Sequence, residues 1–82
     1  LSISPNPFST TVKIDYFSPS QGEMDFQLMD IGGNIVSSSH RSSNHGVEVE
    51  TLQNLEGLQT GVYFLKITRD GKDAGTTKLL KN

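Results

Sequence analysis

The stretch Leu58-Gln-Thr-Gly-Val-Tyr-Phe-Leu-Lys-Ile67 joins the longest apolar run of the chain to a turn whose residue types are constrained. From Tyr63 onward, Tyr63, Leu65 and Ile67 alternate with Phe64, Lys66 and Thr68, which is the period of a strand and not of a helix. Val, Tyr, Phe and Ile also pack well on a pleated surface. Leu58 and Gly61 precede Tyr63 by five and two residues, a spacing like that of the tyrosine corner in immunoglobulin-type sandwiches. In that motif a phenol near the start of a late strand bonds back to the preceding crossover. An ordinary Gly turn followed by a core strand satisfies the same residues, and spacing alone does not choose between the two.

Working outward from this strand, the same alternation recurs. Leu1-Ser-Ile-Ser4 predicts a short first strand, ended by Pro5-Asn-Pro7, whose prolines fix their own φ and push Ser4 and Asn6 out of the helical region. Phe8 is expected to tuck under that turn as a plug at one end of the core. Val12, Ile14 and Tyr16 share one face of a second strand, and Met24, Phe26 and Leu28 one face of a third. Asp30-Ile-Gly-Gly-Asn34 reverses the chain, its glycines supplying positive φ values, and Ile35–Ser39 returns as the partner. From Ser37 to Gly46 the chain is Ser-rich and short of apolar anchors, and reads as a mobile connection or an irregular edge. Val47-Glu-Val-Glu-Thr51 alternates again, with both glutamates expected on the solvated side. Leu52, Leu55 and Leu58 then cross over to the strand at Tyr63. Asp70-Gly71 is a strong two-residue hairpin signal, and Ala74–Lys81 pairs back along the preceding strand.

About seven short strands, near-regular turns and no amphipathic helical period give an all-β chain, read as an immunoglobulin-like antiparallel β-sandwich. A small closed barrel is the other architecture this pattern permits. At 82 residues the chain is one domain. A chain of this size buries roughly 60% of its unfolded surface, enough for a modest core and too little for a deep enzymatic cleft. The start at Leu1 lacks an initiator Met, a basic region and an apolar signal segment, so residues 1–82 read as a domain excised from a longer protein. No apolar run is long enough to span a membrane as a helix, so no membrane insertion is expected.

The residues offer little chemistry. With no cysteine, a disulfide framework, a thiolate nucleophile and a Cys-based zinc site are excluded. His40 and His45 lie in the Ser-rich segment without a third ligand at a useful spacing, and read as solvated. Glu48 and Glu50 share one face, so nothing separates their pKa values as acid–base work requires. Asp30 and the pair Asp70 and Asp73 are too few carboxylates for a calcium cage. Nucleophile elbow, zinc-protease helix, phosphate loop and EF-hand patterns are all missing, so neither an enzyme nor a cofactor is expected. The net charge of −2 conceals an asymmetry, −5 over residues 1–60 and +3 over residues 61–82. The C-terminal bases alternate with apolar residues and form no basic cluster, which speaks for a solvated strand face and against nucleic-acid binding.

Three motifs in order carry a resemblance: Pro5-Asn-Pro-Phe8, Asp30-Ile-Gly-Gly-Asn-Ile-Val36, and Leu58-x-x-Gly-Val-Tyr-x-Leu-x-Ile67 before the Lys-rich end Lys78-Leu-Leu-Lys81. Together they resemble the type A C-terminal sorting domain of the Bacteroidetes type IX (Por) secretion system, over essentially the whole chain. The resemblance implies a non-catalytic address label on a secreted cargo that precedes it in the same chain. Such cargo is implied to reach the periplasm, cross the outer membrane through the type IX translocon and its shuttle components, and end secreted or on the cell surface. A sortase-like cysteine peptidase is implied to remove the domain, upstream of Leu1 or in the linker leading to it. By the same resemblance Lys78, Leu79, Leu80 and Lys81 are the partner-recognition residues. Pro5, Asn6, Pro7, Asp30, Gly33, Gly61 and Tyr63 are then architectural. An adhesive or carbohydrate-binding sandwich and an inert spacer are the competing readings, the first weakened by the absence of Trp.

Overall fold

A computed structural model describes residues 1–82 as seven strands without a helix. They are β1 (Ser2–Ser4), β2 (Val12–Ser18), β3 (Gly22–Asp30), β4 (Ile35–Ser43), β5 (Gly46–Leu52), β6 (Gly61–Arg69) and β7 (Lys72–Lys81). Two antiparallel sheets result, one ordered β1-β2-β5 and the other β4-β3-β6-β7. This is the immunoglobulin-like sandwich arrangement, with β4 beside β3 on the sheet that holds the late strands. The chain changes sheets through the β2–β3 loop, the β4–β5 loop and the long crossover from Leu52 to Gly61.

The core follows from the alternation. Val12, Ile14 and Tyr16 of β2 face Met24, Phe26 and Leu28 of β3 and Tyr63, Leu65 and Ile67 of β6. Phe8, Leu52, Leu55 and Leu79 close its ends. Phe8 is fully buried and meets the Tyr63 ring edge-on at 5.9 Å between centroids. The two readings of the Tyr63 spacing are decided by one bond: the Tyr63 hydroxyl donates to the Gln59 carbonyl at 2.7 Å. That bond makes Leu58–Tyr63 a tyrosine corner and satisfies the one polar atom of a buried ring.

Arg69 ties the two sheets together at the opposite end. Its guanidinium donates to Ser18 Oγ at 3.0 Å and to the Ser20 carbonyl at 2.7 Å, fixing the β2–β3 loop. A Cβ at Gly22 would lie 2.7 Å from that guanidinium, so a larger residue there would have to displace the Arg69 side chain from these bonds.

Two expectations from sequence are corrected. Ser37–Gly46 is neither mobile nor irregular: β4 continues to Ser43 in register with β3, interrupted only by a bulge at Leu28/Met29. Backbone pairing supplies the order that apolar anchors do not. Glu48 and Glu50 are also not on the solvated side. A Val-Glu-Val-Glu pattern defines two faces without saying which is inside, and the register Val12↔Leu52 decides it by pointing Leu52, Glu50 and Glu48 inward. Val47 and Val49 are therefore left 79% and 40% exposed. Because β5 is an edge strand, its inward glutamates reach the open side of the sandwich. Arg41 of β4 meets them there, 3.1 Å from Glu48 and 3.8 Å from Glu50. Ser39 also donates to Glu50, and the Tyr16 hydroxyl lies 2.5 Å from Ser43 Oγ, so polar pairs join β4 to β2 and β5 where apolar packing ends.

Replacing Tyr63 by Phe keeps the ring and deletes only the corner bond, so urea unfolding should show a loss of about 1 kcal/mol. Tyr63→Ala also empties the core, and a loss of about 3–5 kcal/mol is expected.

Candidate recognition strand

The positions singled out in the sequence converge on β7 and on the two turns at its C-terminal end. β7 is set by the β6–β7 hairpin, in which Asp70 and Gly71 have φ of 50° and 79°. Two consecutive positive φ values give a type I′ turn, the one that matches strand twist. The turn is held to β3, since the Asp70 amide donates to the Glu23 carbonyl at 2.8 Å and Asp70 Oδ1 accepts from the Glu23 amide at 2.9 Å. A bulge at Ala74 follows, where the pairing passes from Thr68↔Asp73 to Ile67↔Gly75.

Within Lys78–Lys81 the pleat divides the four side chains. Lys78 and Leu80 point outward, whereas Leu79 is 1% and Lys81 7% exposed. The Lys81 ammonium donates to the Asn82 carbonyl at 2.8 Å. Lys78 and Leu80 are therefore open to direct contact, and Leu79 and Lys81 hold the strand in place.

The Pro5-Asn-Pro-Phe8 turn, read from sequence as a local break, is a latch on this strand. The Phe8 amide donates to the Leu80 carbonyl at 2.8 Å, and the Asn82 amide donates to the Phe8 carbonyl at 2.9 Å. Asn6 Oδ1 accepts from the Leu80 amide at 3.0 Å. Pro5 and Pro7, both preceded by cis bonds, flank the asparagine whose side chain makes that contact. The distance in sequence between Asn6 and Leu80 hid this pairing. The only hint was that both segments end the same apolar layer.

Asp30 organises the second turn. Its Oδ1 accepts from the amides of Gly32 and Asn34, each at 2.9 Å, and Gly33 takes a φ of 85°. Bonding to Asn34, first through its backbone and then through its side chain, holds the Asp30 carboxyl below the usual carboxylate range. Asp70 and Asp73 likewise accept backbone amides, from Glu23 and Gly75. These carboxylates do turn chemistry and do not converge. The Asp30 turn and the Leu58–Gly61 crossover border one groove of about 370 Å³, which brings Asp30, Gly61 and Tyr63 to the same end of the sandwich.

His40 lies on β4 and not in a loop. Its Nδ1 is 2.8 Å from Asp25 Oδ1 and its Nε2 is 2.8 Å from Glu23 Oε1, and these acceptors raise its pKa above the ordinary imidazole value. His45 instead meets the exposed ring of Phe17 edge-on, at 5.4 Å between centroids.

An immunoglobulin-like sandwich whose N-terminal turn locks its last strand is thus the class of domain at hand. Residues 2–82 match the family described as "Secretion system C-terminal sorting domain", and the chain belongs to that family, the type IX sorting domains. No curated protein and no solved structure matches the chain. Membership means that the chain works with the type IX secretion machinery and that its cargo is secreted or surface-exported.

A group whose pKa is lowered by folding stabilises the fold above its unfolded pKa, and that contribution is lost as pH falls through the folded value. Asp30 is such a group. Urea midpoints measured from neutral pH to below the usual carboxylate range should therefore fall on the acid side. In Asp30→Asn that acid-side fall should be shallower, from a lower starting stability.

Proposed function

We propose that residues 1–82 form one sorting domain placed C-terminal to a longer secreted cargo, and that β7 is the part the export machinery reads. The family match over residues 2–82 carries this reading, together with the display of Lys78 and Leu80 on a strand whose end is fixed. The domain acts as a non-catalytic address. Cargo enters the periplasm, is recognised by the outer-membrane translocon and its shuttle components, and crosses the outer membrane. A sortase-like cysteine peptidase then removes the domain, cutting upstream of Leu1 or in the linker before it.

Roles divide along the pleat. Lys78 and Leu80 meet the partner, while Leu79 and Lys81 keep the strand seated. Pro5, Asn6 and Pro7 form the latch, Asp30 and Gly33 the β3–β4 turn, and Gly61 and Tyr63 the corner that carries β6. Latching has a physical use, because a frayed terminal strand would have to be ordered at each encounter, at a cost of about 1–2 kcal/mol per residue.

A fluorescent protein fused ahead of Leu1 and expressed in a type IX-competent host should accumulate outside the outer membrane. Removing 78–82 should leave it in the periplasm. Periplasmic retention of the intact fusion would contradict the sorting function, and undiminished export of the truncated one would contradict the role of the terminal strand.

A further inference from the structure

The outer face of the four-stranded sheet is not uniformly polar, as a solvated sandwich face would be. Register places Ile35 of β4 beside Met29 of β3, Met29 beside Phe64 of β6, and Phe64 beside Lys78 of β7. One step along, Val62 lies beside Leu80. All are on the side opposite the core, because their neighbours Leu28, Tyr63, Leu65 and Leu79 are buried. Directly opposed residues have Cβ atoms about 4.5–5.5 Å apart, so Ile35, Met29 and Phe64 form an apolar row across three strands, which the Val62–Leu80 pair one step along extends onto β7. Ile35 and Leu80, at its two ends, are 55% and 43% exposed.

Charge on this face is separated. Lys78 flanks the row, Lys66 stands one pleat further along β6 opposite Gln27, and neither forms an ion pair. The face's carboxylates lie at its far end: Glu23 and Asp25 of β3 are engaged by His40, and Asp73 of β7, opposite Thr68, accepts from the Gly75 amide. The half of the face nearest the Asp30 turn is therefore apolar and cationic, with no anion of its own to complement it.

The backbone edge of β7 offers less. Leu80, whose amide and carbonyl point away from β6, is already bonded to Asn6 and Phe8. By the same alternation only Thr76 and Lys78 keep free edge groups before the bulge at Ala74. Two residues are a short template for an added strand.

We propose that this sheet face, and not the β7 edge, is the docking surface of the domain, and that its occupant is an acidic, apolar protein surface of the export machinery. The proposal rests on the sorting function above and specifies how the terminal strand is read: Lys78 and Leu80 act as one border of a surface that extends to β4. The unpaired Lys66 and Lys78 select a partner that presents carboxylates around an apolar centre. The Glu23–Asp25 end repels the same carboxylates and so fixes the orientation.

Export of the fluorescent fusion separates the possibilities. Ile35→Ser lies three strands from β7, so strand addition at the β7 edge would not feel it. Face docking predicts that Ile35→Ser and Leu80→Ser each reduce export about tenfold, the effect of losing one apolar contact of the interface. Lys66→Glu should do the same. Val47→Ser with Val49→Ser, a larger loss of exposed apolar surface on the other sheet, should leave export unchanged. Thermal melting of each purified variant reports folding. Should Ile35→Ser and Lys66→Glu fold and export normally while removal of 78–82 blocks export, the face is overturned and the sorting function stands. Failure of the intact fusion to leave the periplasm would remove the sorting function itself. Sedimentation showing a dimer of the purified chain that Ile35→Ser abolishes would assign the face to a second copy and also overturn the proposal.

Discussion

The buried Tyr63 ring is the constraint on which the rest of this small fold depends. Its hydroxyl must be satisfied, and the Gln59 carbonyl satisfies it at 2.7 Å, which bends the crossover into a corner and fixes where β6 begins. The ring edge meets Phe8, and Phe8 in turn bonds through its backbone to Leu80 and Asn82. One aromatic pair thus connects the crossover, the N-terminal turn and the terminal strand. The Leu55 amide, which donates to the Thr10 carbonyl at 3.0 Å, ties the crossover to the same N-terminal segment.

This arrangement separates what folds the domain from what a partner can touch. At the end of β7, Leu79 and Lys81 turn their side chains inward, while Lys78 and Leu80 turn theirs to solvent, the latch holding Leu80 through its backbone alone. Lys81 shows the consequence: although it belongs to the basic terminal motif, its side chain is nearly enclosed. A substitution there acts on the seating of the strand, whereas one at Lys78 or Leu80 acts on the surface alone. The same parity on β6 and β3 places Phe64 and Met29 outside, so the sheet behind the terminal strand continues the surface that the strand begins.

Much of the fold is legible in the sequence because strands alternate and turns carry Gly, Pro, Asn and Asp at demanding positions. Asp70-Gly71 and the Asp30 turn were readable for that reason, as was the sandwich itself. Parity was legible only where one face was plainly apolar. In Val47–Glu50 both faces were plausible, and the answer lay in a register shared with β2 that no local pattern records. The start of β4 at Ile35 is legible from the Asp30 turn, but its Ser-rich continuation to Ser43 is not, because the order there comes from pairing with β3 and from Arg41, Ser39 and Ser43, each bonded across the sandwich. For the candidate site, the terminal motif was visible as a string of residues. The latch that orients it joins residues more than seventy positions apart, and only the three-dimensional pairing reveals it.

The central claim is that the end of β7 is held by the Pro5–Phe8 turn while the adjoining stretch keeps an open edge. Amide hydrogen exchange of the folded chain, resolved by residue, tests it most directly. Leu80 and Asn82, whose amides donate to Asn6 and Phe8, should exchange slowly, as should Leu79, and Lys78 and Thr76 should exchange fast. Leu80 and Asn82 exchanging as fast as Lys78 would contradict the account, because the terminal strand would then be a frayed end and not a fixed surface.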